Sequence, residues 1–331
     1  MLKGKVNWAI VGLGDIVRKR VGSAILQQPN SSVYACVSRN PDKRREDLER
    51  LQPAKVFTDF KEMLADEDVD AVYLATPVNL HAPQTIAALK AGKDVLVEKP
   101  MAMNSAQATE ICRAAQQSGR RLSVAYYRRF WERFQLVKDM LDGGDFGQVV
   151  SVRIALREWY QPDLADPKAW RVKPEMSGGG VLMDVGCHRL DLLAWWFGLP
   201  KRLVASIRKG RYQTEDSATV LMTLDNGADV TVSFNWDSKA LADEIHLVGT
   251  EAKVTLLPCD GPEVSIYAAN ELQHRQIPKP TNAHYPLIDD FARAIVAGRS
   301  PRFSAADGMK ATQIMDVIFY SSASDTWQEV C

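Results

Sequence analysis

The chain has 331 residues, 46% hydrophobic and 8% aromatic, and its 41 Lys plus Arg are balanced by 41 Asp plus Glu for a formal net charge of zero. At roughly 150 residues per domain the length suits about two domains, each able to bury its own core. Balanced charge without long runs of one sign removes the attraction that nucleic acid or an anionic membrane surface depends on, so neither is expected as a partner.

Taken in chain order, the first third alternates short apolar runs with segments of helical period. Val6–Gly12, Val33–Val37, Lys55–Phe57, Ala71–Ala75, Val95–Val97 and Leu122–Ala125 read as buried parallel strands. Leu80–Ala91 and Ser105–Ser118 carry apolar residues at spacings of three and four, so they read as helices covering the sheet faces. Residues 1–125 are therefore expected to form a doubly wound α/β, Rossmann-type domain.

Over residues 126–331 the pattern changes. Val150–Glu158, Ala218–Leu224, Val230–Trp236, Glu244–Val248, Lys253–Leu257 and Val264–Ala268 read as strands, with Asp225-Asn226-Gly227 as a hairpin turn. Helical segments are expected over Val181–Phe197, after the run Gly178-Gly179-Gly180, and over Leu287–Ala297. An α+β domain with a large, mostly antiparallel sheet follows, and with no long linker the two domains are expected to share an interface. The cysteines Cys36, Cys112, Cys187, Cys259 and Cys331 form no C-x-x-C pair, and their odd number suits reduced thiols in a cytosol. The apolar stretch Val6–Gly14 is too short to span a membrane and lacks a cleavage site, so a cytoplasmic protein is expected. No zinc spacing is present, and no metal is expected.

Gly12-Leu13-Gly14-Asp15-Ile16-Val17 lies where the first strand meets the first helix, and glycine there lets backbone amides approach a pyrophosphate. Val17 replaces the third glycine of the fingerprint, which weakens the match, while the strand-turn-helix context favours it. At the end of the second strand an acidic residue would bind the ribose 2′-hydroxyl of NAD(H), but the sequence has Ser38-Arg39. A hydroxyl beside a guanidinium suits a 2′-phosphate, and Lys43 and Arg44 can add charge, so NADP(H) is the expected cofactor and NAD(H) the alternative. Arg45 and Arg50 read as a solvated helix face.

Thr76-Pro77-Val78-Asn79-Leu80-His81 and Glu98-Lys99-Pro100 follow the fourth and fifth strands, at the carboxyl ends where open α/β sheets bind ligands. Each also reads as ordinary loop chemistry, Asn79 as a helix N-cap and Lys99-Pro100 as a surface turn. In the second domain Asp184 and His188 are four apart on one helix face, with Asp191 close to it. A carboxylate beside an imidazole suits proton exchange in alcohol–carbonyl interconversion, yet spacing alone fits a structural helix pair better.

The ordered set of Gly12-Leu13-Gly14, Thr76-Pro77 with Asn79 and His81, Glu98-Lys99-Pro100, Tyr127-Arg128-Arg129-Phe130, Gly178–Gly180 and Asp184-x-Gly186-x-His188 resembles the glucose–fructose oxidoreductase / inositol dehydrogenase family. The likeness spans essentially the whole chain. It implies hydride transfer between a nicotinamide and a sugar, sugar derivative or polyol. Lys99 would contact nicotinamide ribose and substrate hydroxyl, with the bond to Pro100 cis in relatives. His188 would be the general acid/base, and Asp184 would bind a neighbouring hydroxyl. Tyr127, Arg129, Tyr160, Trp170 and Arg171, with Trp159, fall in segments the family places around the substrate, although Arg171 also suits a carboxylate or phosphate. Trp195 and Trp196 read as core, and His246, His274 and His284 as structural or surface residues.

The resemblance further implies a homodimer or homotetramer formed through the open sheet of the second domain. Two other functions occur among such relatives: glycoside cleavage with a tightly held NAD(H) and transient redox, and noncatalytic nucleotide-binding regulation. Occupancy of Lys99, Asp184 and His188 argues against the second of these.

Overall fold

The computed structural model describes residues 4–166 and 168–330, so Cys331 lies outside the described residues. The chain forms two compact units, one taking the chain up to Tyr127 together with Pro280–Met309, the other taking Arg128–Lys279 with the chain from Lys310 onward.

In the first unit the strands are β1 (Val6–Val11), β2 (Ser31–Val37), β3 (Lys55–Phe57), β4 (Ala71–Leu74), β5 (Asp94–Val97) and β6 (Leu122–Val124). The connecting helices are α1 (Gly22–Gln27), α2 (Arg45–Leu51), α3 (Phe60–Leu64), α4 (His81–Lys90) and α5 (Ser105–Ser118). All strand pairs are parallel, in the order β3-β2-β1-β4-β5-β6. That order reverses between β1 and β4, where the carboxyl ends of neighbouring strands open a crevice. β1, β4 and β5 are apolar and almost wholly buried because helices cover both faces, which is why they read as continuous hydrophobic runs.

The second unit opens with α6 (Glu132–Asp142), followed by β7 (Val149–Trp159), a short helix α7 (Pro174–Ser177) and α8 (Cys187–Phe197). Then come β8 (Arg202–Arg208), β9 (Ser217–Thr223), β10 (Asp229–Asn235), β11 (Asp237–Gly249), β12 (Ala252–Leu256), β13 (Glu263–Ala268), β14 (Glu271–Gln276) and, at the chain's end, β15 (Gln328–Glu329). Among the described residues they make one sheet, β14-β13-β12-β11-β7-β10-β9-β8-β15, antiparallel throughout except where β7 runs parallel to β10. Register carries the alternation across the strands. The row Ala205, Val220, Val232, Ile154, Ile245, Leu256 is buried, while the adjacent row Leu221, Thr231, Arg153, His246, Ser265, His274 points to the other face. His246 and His274 thus sit on that second face, each beside a glutamate, Glu244 at 3.1 Å and Glu263 at 2.9 Å.

The chain crosses between the units at three places, where the sequence pattern suggests a single boundary at 125/126. The reason is α9 (Tyr285–Val296), an amphipathic helix that buries Leu287, Ile288 and Phe291 in the first unit, with the Phe291 ring 5.7 Å from Trp8 of β1. The larger elements outside the sequence expectations are α6, β8, β14 and a long C-terminal helix, α10 (Ala305–Ser324), beside the short α3, α7 and β15. In α10 the buried Ala311, Ile314, Met315 and Ile318 follow a helical period, a signal masked by the small and polar residues around it. β14 is exposed along its whole length and exists through its pairing with β13. Trp196 is buried as expected of a core residue, whereas Trp195 is partly exposed.

Candidate active site

The glycine loop is built by the sheet. Gly12 closes β1 with φ +90°, and a Cβ there would lie 2.7 Å from the Ala75 carbonyl oxygen of the next loop. Gly14 is different, because a Cβ would meet nothing within 4 Å. One glycine is needed for backbone conformation and approach, and the other leaves open space beside the first helical turn, where Arg18 N–H donates to the Gly14 carbonyl at 3.1 Å. Asp15 binds Lys19 at 3.0 Å, Ile16 lies in the same turn, and Val17 is buried in place of the third glycine. Gly12→Ala is expected to destabilise the protein by about 1–3 kcal/mol and to weaken nucleotide binding, measurable by urea unfolding and nucleotide titration.

After β2, Ser38 is held by its N–H to the Phe57 carbonyl at 3.0 Å. Arg39 and Lys43 are exposed and make no side-chain contact among the described residues. Arg18, Arg44 and Arg50 instead surround the buried Asp47, Arg18 at 3.1 Å, Arg50 at 3.6 Å and Arg44 at 4.0 Å, which reduces the charge Arg44 can offer a ligand.

Beyond β4, Thr76 Oγ1 donates to Gln84 at 2.8 Å, and Asn79 Oδ1 is buried without a hydrogen-bond partner among the described residues. A buried acceptor of that kind awaits a donor. His81 departs from a ligand-contacting role: its Nδ1 lies 2.8 Å from the Pro100 carbonyl and its Nε2 2.9 Å from the Thr76 carbonyl. Both ring nitrogens are therefore occupied by the two loops they join, and burial pushes the imidazole pKa down.

Glu98 is likewise behind the loop. It accepts from Tyr73 Oη at 2.6 Å and from the Lys99 N–H at 3.2 Å, and His284 Nε2 lies 3.7 Å away. Burial alone would raise its pKa, but His284, Tyr73 and Lys99 outweigh that and hold it below the ordinary value. Lys99 is half-buried at the end of this strand, and the Lys99–Pro100 bond is cis. His284 is fully buried, its ring tilted against Tyr127 with 4.2 Å between centroids, so of the structural and surface alternatives it is structural, and it lies beside the motifs.

In the second unit, Tyr160, Trp170, Arg171 and Asp184 come together. Arg171 pairs with Asp184 at 3.3 Å and covers the Trp170 ring at 4.9 Å. Burial opposes the Arg171 charge, but Asp184 and Tyr160 outweigh it and raise its pKa. With its charge answered by Asp184, Arg171 is poorly placed to select an anion. Arg129 is the residue whose surroundings differ most from the substrate role assigned to its segment. It is 2% exposed and makes a bidentate pair with Asp191, at 2.9 and 2.6 Å. That pair also engages the carboxylate that the spacing placed near His188.

The run Gly178-Gly179-Gly180 sets the start of the Asp184–His188 segment. A Cβ on Gly180 would lie 2.0 Å from the Glu215 carbonyl oxygen, and the Gly180 and Leu182 N–H groups donate to Glu215 Oε1 at 2.7 and 3.0 Å. Burial pushes the Glu215 carboxyl up to about 7 against those two donors. A carboxyl whose folded pKa is raised stabilises the fold below its unfolded value and loses that contribution as pH rises to about 7. The urea midpoint is thus expected to fall between about pH 5 and about pH 8, and Glu215→Gln should flatten that fall. An unchanged pH slope in the variant would disprove the assignment.

Residues 182–186 wind as a π-helical turn before α8, and His188 in α8 is 7% exposed. His188 lines a cavity of about 440 Å³ within this unit, together with Glu158, Arg189, Asp243 and Asp260. These four neighbours escape motif reading because they come from separate elements and have no shared spacing. Arg128, beside them, belongs to a motif but signals no role by sequence.

The crevice at the β1/β4 reversal, the glycine loop, the free cations after β2 and the unpartnered Asn79 oxygen fit a dinucleotide. Comparison with known proteins places this architecture. Residues 6–126 match the model for an oxidoreductase family with an NAD-binding Rossmann fold, and residues 134–255 match the GFO/IDH/MocA C-terminal domain. Relatives include 1,5-anhydro-D-fructose reductase of Ensifer adhaerens, 27% identical over 92% of each chain. D-xylose 1-dehydrogenase (NADP(+)) 2 of Haloferax volcanii is 26% identical, over 95% of this chain and 97% of that one. The aldose-aldose oxidoreductase of Caulobacter crescentus, solved with glycerol, has a TM-score of 0.89 at 25% identity, covering 98% of this chain and 99% of the other. Fold and relatives together define an enzyme, an NAD(P)-binding oxidoreductase of the sugar and polyol class. The chain belongs to the GFO/IDH/MocA oxidoreductase family. Among the described residues no helix is long and apolar enough to cross a membrane.

Proposed function

We propose that the protein is an NADP(H)-dependent oxidoreductase that interconverts a carbinol and a carbonyl in a sugar, sugar derivative or polyol. The observation that carries the cofactor preference is the pair of exposed, uncommitted cations Arg39 and Lys43 after β2, with Ser38-Arg39 in place of an acidic residue where β2 ends and Asp42 the one carboxylate between the two cations. Gly12, Gly14, Asp15 and Ile16 would receive the pyrophosphate, Ser38, Arg39 and Lys43 the 2′-phosphate, and Thr76, Pro77, Asn79 and Lys99 the nicotinamide half. His81 and Glu98 support these loops from behind. When bound, the dinucleotide supplies the hydride acceptor or donor.

The chain's own residues handle the proton and the substrate. In the oxidising direction His188 takes the hydroxyl proton, and in the reducing direction it returns it. The Lys99 ammonium offsets the negative charge that develops on the reacting oxygen. Asp184, braced by Arg171, accepts from a neighbouring hydroxyl. Tyr160 and Trp170 offer aromatic surface to C–H faces, and Tyr127 flanks the Lys99 loop through His284. Association into a homodimer or homotetramer is proposed for the outer sheet face, which exposes Leu221 and Tyr267 at 47% and 45%.

The experiment is to identify nucleotide released on denaturation, then to titrate the emptied protein with NADPH and NADH and screen sugars and polyols for nucleotide reduction. Tighter NADPH binding with turnover supports the proposal. A stoichiometric NAD(H) that does not exchange would replace it with glycoside cleavage through transient redox. Exchangeable binding with no turnover of any sugar or polyol would favour a regulator.

A further inference from the structure

The cavity that His188 lines lies within the second unit, and its walls are more specific than a cleft for one alcohol requires. Arg128 binds Asp260 through two nitrogens, with Nε to Oδ1 at 2.9 Å, and Arg189 binds Asp243 at 2.6 Å with Asp260 a further 3.8 Å away. Burial would raise the Asp260 pKa, but Arg128, Arg189 and Arg133 outweigh it and hold the carboxyl below its ordinary range. Each of these charges is answered inside the wall. A third arginine of the wall, Arg157, is exposed, and Glu158 accepts from Trp236 Nε1 at 2.8 Å. The buried cations Arg128 and Arg189 are therefore already answered by carboxylates, and a cation finds Asp243 and Asp260 already engaged.

Polar capacity nevertheless remains. Arg189 Nε is buried without a hydrogen-bond partner among the described residues, on a side chain that is 3% exposed. Glu158 keeps a second carboxyl oxygen in a wall that burial, with Asp184 and Asp243 nearby, makes hostile to its charge. Leu156, Val185 and Leu257 supply apolar surface between these polar groups. Fixed donors and acceptors interleaved with apolar patches, and no net charge, match sugar hydroxyls and C–H faces. The volume of about 440 Å³ falls within the roughly 300–1,000 Å³ of pockets that enclose a drug-sized ligand, more than a single ring needs.

We propose that this cavity is the subsite for the non-reacting half of a neutral, polyhydroxylated substrate larger than one sugar ring, a disaccharide or a glycoside with a hydroxylated aglycone. The inference rests on the reading of His188 as the acid/base, since it places the reacting carbinol at that residue and the remainder of the substrate in the cavity.

Cellobiose, maltose and lactose are compared with glucose and galactose as substrates, for the wild type and for two wall-filling variants. Ala242→Trp fills the cavity from β11, and Leu241→Trp narrows its rim at a position that is 78% exposed and so tolerates the change. At least one disaccharide is expected to exceed its parent monosaccharides in kcat/KM by about ten-fold or more, and each variant should erase most of that ratio. Equal kcat/KM for single and double sugars, or a ratio unchanged by both variants, overturns the proposal. Binding of the same sugars is followed in parallel by ligand-observed NMR. If no sugar reduces nucleotide, the oxidoreductase reading has failed, and the subsite stands only if a disaccharide binds the wild type and not the variants. If monosaccharides turn over and no disaccharide binds, the subsite alone is wrong.

Discussion

Substitution of His188 by asparagine is expected to lower kcat for sugar oxidation by about 10²–10⁴, the usual contribution of a positioned general acid/base, with nucleotide affinity within about two-fold of wild type. The direction follows from location. His188 is nearly buried in α8 and lines the substrate-sized cavity, in a different unit from the glycine loop. Lys99→Met should lower kcat comparably, because it removes the charge that stabilises the developing alkoxide and leaves the backbone of the Glu98–Pro100 turn in place. In that variant the Tyr73 and Glu98 contacts behind the turn persist, so loss of fold is not the cause of the defect. Steady-state kinetics together with nucleotide titration decide the matter. Near-normal kcat in both variants would end the assignment of these residues to the chemical step, and for His188→Asn an equal loss of nucleotide affinity would point to structural damage.

The second large effect concerns the cofactor. Arg39→Ala is expected to weaken NADPH binding by about ten- to one-hundred-fold, corresponding to the roughly 1.5–3 kcal/mol of a charged hydrogen bond. NADH binding should change by less than about two-fold, because its ribose offers no phosphate to the guanidinium. Since Arg39 is exposed, added salt should narrow the difference between the two nucleotides in the wild type. Fluorescence titrations of both nucleotides at low and high salt would test this. Equal losses for NADPH and NADH would exclude the phosphate contact, and Lys43 would then be the remaining candidate.

The first unit was the more legible half of the fold. All six of its strands coincide with apolar runs, most fully β1, β4 and β5, where helices cover both faces, whereas β3 is an exposed edge strand opened by Lys55. The glycine loop is equally plain, since it depends on local backbone, and Ser38-Arg39 stands out as a candidate because it needs only two adjacent side chains. The second unit was only partly legible. β7, β9, β10, β12 and β13 announce themselves by alternation, whereas β14 is polar throughout and owes its existence to a neighbour 263–268 rather than to its own residues. α9 reads as a helix from its sequence, but nothing in its amphipathic pattern says which of two cores it will join.

Site residues divide in the same way. Composition, motif order and spacing by themselves determined the fold class and the dinucleotide crevice, because each of these depends on neighbours close in the chain, and with the family resemblance they single out Lys99, Asp184 and His188 as candidates. Tertiary structure alone decided that His81 and Glu98 support loops, that Arg129 and Asp191 are committed to each other, that Arg171 answers Asp184, and that Glu158, Arg189, Asp243 and Asp260 wall a cavity with His188. The physical reason is that a side chain's role is set by which partners desolvate it and satisfy its hydrogen bonds, and those partners come from strands and helices that only folding brings together.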